Sequence, residues 1–331
     1  MKAEEAKRLI REQLQAPGTG EFIRGLTATL RAELSVFGST VSERLPAAAS
    51  FATLTTPPQL RSKLSRIPSY MSGWVYAMDA LLDTCPSIDY ADDLSSLLRR
   101  RLELPSDVQL TWLDMDLARD PTQDAPGLDY SIMDIVDGIQ PLRRSLEEAS
   151  PDAVGLRTFD RCLIDGVVPA MCTEARWRIE QSAPTDVSEY LRTASVTICV
   201  TLCMSALNAM LPGAGERWRV IEPVTAPLSG ALRLMNDVAT YEKDVLERKP
   251  NPVSIMMSNG VPPGRARADL RRMIDEFARE VEHLCQQNIG SRSADDPTSS
   301  LSICMLHQLA AADMMYSIGD FVELKQITTA P

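Results

Sequence analysis

The sequence holds little of what announces the common chemistries. Two histidines, His283 and His307, stand in 331 residues, so a histidine-built metal cage or a histidine-based triad has almost no material. The seven cysteines form no CxxC pair and are odd in number. That argues against a disulfide framework or a zinc ribbon, and it suits a reducing, cytoplasmic setting. Cys304 and His307 make one CxxH, too little for a structural zinc site. GxGxxG, GxxxxGK[ST] and GxSxG are missing, and with them the marks of the dinucleotide fold, the P-loop and the esterase elbow. No apolar run reaches the 18 residues of a membrane helix; residues 194–211 come nearest, but Thr, Ser and Asn interrupt them, and they read as a core helix. The opening "MKAEEAKRLIREQLQ" has no apolar stretch behind it and reads as a charged amphipathic helix rather than a signal peptide. A net charge of −11, with no basic tract longer than Arg99–Arg101, speaks against nucleic acid and anionic membranes as partners.

What is present is helical periodicity. Apolar residues recur at three and four across 1–16, 21–37, 59–84, 89–102, 129–149, 155–181, 186–211, 216–247, 264–289 and 299–325. Breakers such as "APGTG" (16–20), "DPTQDAPG" (120–127), "LPGAG" (211–215) and "RKPNP" (248–252) separate them. No strand-like alternation bounded by hairpin turns stands out. Helices joined by short loops predict an all-α, single-domain antiparallel bundle spanning 1–331, with 1–15, the C-terminal end and 291–300 expected to be mobile. The stretch "SVTICVTLCMSALNAML" is apolar nearly all round and belongs in the middle of that bundle.

One helix carries an unusual polar set. In "LRLMNDVATYEKD" (232–244), with about 100° per residue and Asn236 at the origin, Thr240 falls near about 40°, Arg233 about 60°, Asp244 about 80° and Lys243 about −20°. All five share one sector. Asn, Thr and Asp offer three hard oxygen donors in a row, which suits Mg²⁺. Arg233 and Lys243 beside them suit phosphate oxygens, the arginine as a fork and the lysine as a point charge. The same spacing also fits a solvent-facing stripe. The apolar surroundings and a second acidic motif favour the site.

That second motif is "GWVYAMDALLDTCP" (73–86). Asp79 and Asp83 stand one turn apart on an apolar helix, where two carboxylates repel unless a cation lies between them. Two exposed acids near a helix end are the plainer reading. Asp at a helix C-terminus opposes the helix dipole, which favours the metal reading. "DMDLARD" (114–120) is a rival acidic segment, weakened by the proline-rich loop it runs into.

Together these residues resemble the class I terpene synthases. "NDVATYEKD" resembles their NDxxSxxxE metal motif, and Arg233 their diphosphate-binding arginine in RLxND. "WVYAMDALLD" is similar to their aspartate-rich helix, and "PTDVSEYLRTASVTICV" resembles the EYL segment, most like ent-kaurene-type diterpene synthases. Three departures stand out. Met78 replaces the first Asp of the acidic motif. Thr240 and Asp244 replace Ser and Glu. Ala194 stands three residues after EYL, where bacterial members often carry an effector arginine, with Arg192 as a substitute, and the C-terminal RY pair is absent.

The resemblance implies the isoprenoid synthase fold and Mg²⁺, three ions as in the family, bound by Asp79, Asp83, Asn236, Thr240 and Asp244. It implies diphosphate binding by Arg233, Lys243 and Arg192, with catalysis resting on the metal ligands and Arg233. The substrate implied is a prenyl diphosphate, ionised and cyclised with release of diphosphate. Geranylgeranyl diphosphate (C20) comes first, copalyl diphosphate second and C15 farnesyl diphosphate third. No DxDD and no paired DDxxD are present, so protonation-initiated cyclisation and chain elongation are disfavoured. Trp74, Tyr76, Trp177, Trp218 and Tyr316 are candidate walls for a carbocation, since an aromatic face stabilises positive charge; each is also an ordinary core residue. A homodimer is a further expectation, and a helical binding protein that kept the fold without chemistry is the competing class.

Overall fold

The longest helix runs 34 residues, from Ala214 to Glu247, or roughly 50 Å at about 1.5 Å per residue. A computed structural model describes residues 2–103, 127–150, 153–293 and 296–317. The acidic segment 114–120 lies outside the described residues.

In chain order the helices are α1 (Ala3–Gln15), α2 (Thr19–Glu33), α3 (Gly38–Ser42), α4 (Leu45–Thr55), α5 (Arg61–Leu64), α6 (Arg66–Thr84) and α7 (Ile88–Glu103). After residue 127 follow α8 (Ile132–Gly138), α9 (Gln140–Ala149), α10 (Ala153–Arg161), α11 (Val168–Glu180), α12 (Val187–Thr197) and α13 (Val200–Ala209). The last four are α14 (Ala214–Glu247), α15 (Pro252–Ser258), α16 (Pro263–Gly290) and α17 (Pro297–Tyr316). No strand forms among the described residues, so the fold is the all-α bundle expected.

Helix α14 packs against α12, α13, α15, α16 and α17, while α6 packs against α4, α11 and α13. Close approach is built into both. A Cβ on Gly230 would meet Phe277 Cε2 at 2.9 Å, and one on Gly73 would meet Leu34 Cδ1 at 2.4 Å. Both glycines let a neighbouring side chain lie on the helix backbone.

Several boundaries differ from the sequence reading, each for a local reason. The helix expected over 186–211 breaks at Cys199, which adopts a left-handed conformation with φ 60°, so α12 and α13 are separate. The segment 155–181 contains a π-helical stretch at Cys162–Val167 between α10 and α11; its extra residue per turn shifts the register of the faces. Residues 45–55 and 252–258 form α4 and α15, which the periodicity missed. Helix α4 is buried on nearly every side, so it shows no polar face to mark its period. Helix α1 and the start of α17 pack into the bundle. Ala6 and Ile10 of α1 are buried in a cluster with Leu54 and Ala310. Within 291–300, Thr298, Ser299 and Ser300 are buried in the first turn of α17.

Candidate active site

A cavity of about 340 Å³ opens between α6 and α14, with α4, α11, α12, α13 and α17 completing its wall. It is lined by Asp79 and Asp83 from α6 and by Arg233, Asn236, Thr240, Lys243 and Asp244 from α14. The sector drawn from the helical period is therefore one face of one helix, turned into a cavity rather than left in plain solvent.

On the α14 side the oxygens are already oriented. The Thr240 hydroxyl lies 2.9 Å from Asp244 Oδ2 and 3.0 Å from the Asn236 carbonyl. Asn251, just beyond α14, donates its amide to Asp244 Oδ2 at 2.8 Å and to the Asp237 carbonyl at 2.8 Å. The same Asn251 accepts from Val253 N–H at 2.9 Å and so starts α15. Burial pushes the Asp244 carboxyl upward, against the pull of Asn251 and Thr240.

On the α6 side, burial and then the neighbouring Asp83 push the Asp79 carboxyl up to about 6, with Lys249 and Arg44 opposing. Lys249, from the turn after α14, places Nζ 2.5 Å from Asp83 Oδ2. Arg178 of α11 donates to the carbonyls of Leu82 at 3.0 Å and Cys85 at 2.9 Å. It satisfies the free carbonyls at the C-terminus of α6 and sets a positive charge against the negative end of that helix.

Beside the α14 set lies a buried network that ties α14 to α11 and α12. Asp237 is fully buried; its Oδ2 accepts from the Tyr190 hydroxyl at 3.0 Å, and its Oδ1 lies 2.9 Å from Arg233 Nε. Arg233 Nε donates to Tyr190 Oη at 2.9 Å, and Nη1 reaches Thr197 Oγ1 at 3.1 Å. Glu174 Oε1 of α11 lies 3.3 Å from Nη1. Burial alone would lower the Arg233 guanidinium, but Asp237 and Glu174 outweigh it and hold the group charged. Burial raises Asp237 to about 6, partly offset by Arg233.

The structure thus joins Asp79, Asp83, Arg233, Asn236, Thr240, Lys243 and Asp244 around one cavity. Three of the five aromatic candidates, Tyr76, Trp177 and Tyr316, line it. Trp74 does not: it is fully buried and donates Nε1–H to the Ile135 carbonyl at 2.8 Å. Counting about 100° per residue, it sits about 140° from Asp79 around α6, on the core side. Trp218 is likewise core, buried near the start of α14. Arg192 is exposed on α12 and is not part of the lining. Arg233 is on the wall, but its guanidinium is engaged by Tyr190, Thr197, Asp237 and Glu174.

The sequence reading missed Glu174, Asp237, Lys249 and Asn251. Only Asp237 and Asn251 left a trace, the one in "ND" and the other as an N-cap residue ahead of a proline. The apolar part of the wall, with Phe51, Met71, Val75, Leu232 and Met315, also went unseen.

The donor set fits a divalent cation of the hard type. Carboxylate, amide and hydroxyl oxygens face one cavity, and a close acid pair on α6 has only lysine and arginine charge against it. Among the described residues no three acidic, histidine or cysteine side chains form a closed cage. Each half-site therefore suits an ion that fills its shell with water or with the oxygens of a bound anion.

Comparison with known proteins agrees. The family described as terpene synthase family 2, C-terminal metal binding, matches residues 89–280, more than half of the chain; the match includes the α14 motif and begins after Asp79 and Asp83. Stemod-13(17)-ene synthase of Oryza sativa subsp. indica is 29% identical over 149 residues, covering 38% of this chain and 18% of that protein. Ent-pimara-8(14),15-diene synthase of Oryza sativa subsp. japonica is 33% identical over 129 residues, covering 38% of this chain and 15% of that one. The matches thus span less than a fifth of either relative's length. Among solved structures, the linalool/nerolidol synthase from Streptomyces clavuligerus in complex with 2-fluorogeranyl diphosphate superposes with a TM-score of 0.62 at 15% identity, covering 88% of this chain and 94% of that one. Isoprene synthase from grey poplar leaves gives 0.60 at 16% identity, covering 99% of this chain and 58% of the other. At such identities these two show a shared fold.

Proposed function

Because the chain belongs to the terpene synthase family, we propose that it ionises a prenyl diphosphate in the cavity between α6 and α14 and cyclises the hydrocarbon with release of diphosphate. The observation that carries this reading is the facing of two oxygen-rich helices across one cavity with an apolar interior. Asp79 and Asp83 stand on one side and Asn236, Thr240 and Asp244 on the other.

These residues would hold Mg²⁺, three ions by analogy with the family. Bound there, Mg²⁺ supplies Lewis-acid charge that stabilises diphosphate as a leaving group. The chain's own residues do the rest. Lys243 at the mouth adds positive charge for the diphosphate oxygens. Arg233, held in place on the wall by Asp237 and Glu174, offers its guanidinium to the diphosphate oxygens, with part of its charge already offset by those two carboxylates. Tyr190 fixes that guanidinium and stacks on Trp177 with ring centroids 6.0 Å apart. Trp177, Tyr76 and Tyr316 line the cavity, where aromatic rings would stabilise an allylic cation. Phe51, Met71, Val75 and Leu232 exclude water that would quench it early.

The substrate we favour is C20 geranylgeranyl diphosphate, with copalyl diphosphate and C15 farnesyl diphosphate next. The two rice relatives are diterpene synthases, which supports a C20 substrate ahead of a C15 one. The test is incubation with C10, C15 and C20 diphosphates and Mg²⁺, followed by mass spectrometry of the hydrocarbons. A cyclic product from C20 that disappears in Asp83→Ala supports the reading. A folded protein that turns over none of them makes it a binding protein of the same fold, a reading that Met78 at the first acidic position favours.

A further inference from the structure

Lys249 bridges the two halves of the site and has no part in the ligand set above. It leaves the chain just after α14, where Arg248 turns into the left-handed region with φ 57°. Its backbone is pinned: Lys249 N–H donates to the Asp244 carbonyl at 2.9 Å, and Asn251 two residues on holds Asp244 and Asp237. Pro250 between them fixes its own φ and narrows the backbone of Lys249 before it. From this fixed root the side chain spans the cavity mouth to Asp83 at 2.5 Å, with Glu247 Oε2 at 3.2 Å. It is about one-third exposed, so it is open to exchange of partners.

The Asp83 oxygen that accepts this ammonium is also a donor a divalent cation would take. One carboxylate oxygen serves the two cations poorly at once, since like charges so close repel strongly. We propose that Lys249 is an exchangeable counter-cation: it competes with a divalent ion for Asp83, and when the ion binds it turns to the diphosphate, becoming an anion-binding residue at the mouth. This rests on the diphosphate reading of the site. Its root beside Asp244, whose side chain belongs to the opposite metal motif, keeps the freed ammonium within the mouth. The flexible stem and rotatable donors of lysine suit such a change of partner better than the planar fork of arginine.

The proposal makes two effects of opposite sign, which a merely structural lysine does not. Mn²⁺ binding to the protein alone is followed by electron paramagnetic resonance, and inorganic pyrophosphate binding with Mg²⁺ present is followed by calorimetry. Wild type, Lys249→Met and Lys249→Arg are compared, with folding checked by circular dichroism. Lys249→Met is expected to bind its first Mn²⁺ roughly three- to tenfold more tightly, a size suited to a partly exposed pair, and to bind pyrophosphate roughly tenfold more weakly. Lys249→Arg is expected to recover most of the pyrophosphate affinity. Should Lys249→Met not fold, Lys249→Gln carries the same test. Unchanged or weaker Mn²⁺ binding, or unchanged pyrophosphate binding, overturns the proposal. If both shifts occur while no prenyl diphosphate is turned over, the cyclase reading fails and the assignment of Lys249 stands.

Discussion

Asn251 and Asp244 are joined by an amide-to-carboxylate hydrogen bond of 2.8 Å. Through it, the end of α14 and the start of α15 are fixed as one piece. Asn251 is fully buried, and its amide reaches the Asp237 carbonyl as well. Asp is one methylene shorter than the Glu of the NDxxSxxxE motif, so the orientation of Asp244 matters more. Replacing Asn251 with Ala removes a helix cap and two buried hydrogen bonds. The expected cost is about 2–3 kcal/mol of stability in urea unfolding, with a higher Mg²⁺ requirement for turnover in the folded fraction. Asn251→Asp, which puts a second carboxylate against Asp244, is expected to be worse than Ala at neutral pH.

Tyr190 stands between Arg233 and Asp237, accepting from one and donating to the other. Burial holds its hydroxyl well above the usual phenol range, so the proton stays available to Asp237. Tyr190→Phe keeps the ring and its stack on Trp177 while leaving a buried carboxylate oxygen and a guanidinium N–H short of a partner. A loss of about 1–3 kcal/mol in transition-state stabilisation, roughly ten- to a hundredfold in kcat/KM, is expected with near-normal circular dichroism. An unchanged kcat/KM would show that the position of Arg233 does not depend on this hydroxyl.

How much of the fold and site is legible in the sequence follows from where the information lies along the chain. The stripe on α14 is legible because five polar residues on one helix obey one period, and a period needs only local sequence. Trp74 is drawn to the site by its nearness to Asp79 in sequence, yet its angle around the same helix points it to the core. Asp237 follows Asn236 directly and so lies about 100° away, outside the sector. Its ion pair with Arg233 one turn earlier is local, but its place in the site depends on Tyr190 of α12 meeting both in space. Glu174 and Lys249 are ordinary charged residues whose meaning comes only from partners on other helices. The break at Cys199 has no Gly or Pro to announce it, because a left-handed non-glycine residue is held by packing around it.

The acids of the site also set a pH dependence. Asp79 and Asp237 are both raised from 3.8 to about 6 in the fold, mainly by burial. Between those values the folded chain holds protons that the unfolded chain has lost, so these two groups destabilise the fold as pH rises through about 6 and favour it as pH falls. His307 acts the other way, since burial lowers it from 6.5 to about 4 and its neutral form is favoured in the fold. Asp79→Asn isolates one acid from this sum. The variant is expected to exceed wild type by about 1 kcal/mol at pH 7.5, allowing for partial solvent screening, with the gap closing near pH 4. Urea unfolding at the two pH values measures it, and a gap that does not change with pH contradicts burial of the Asp79 carboxylate as its origin. Metal binding, which needs the carboxylate ionised, is expected to strengthen as pH rises through about 6.

The most direct test of the central claim is the release of diphosphate from geranylgeranyl diphosphate, measured with and without Mg²⁺ in wild type and in Asn236→Ala. Asn236 is the first of the three oxygen donors on α14 and lines the cavity. The account predicts Mg²⁺-dependent release with a hydrocarbon product in wild type. It predicts a loss of roughly a hundredfold or more in Asn236→Ala at unchanged stability, in line with the removal of a metal ligand. Full activity in Asn236→Ala, or release that does not depend on a divalent cation, would contradict it.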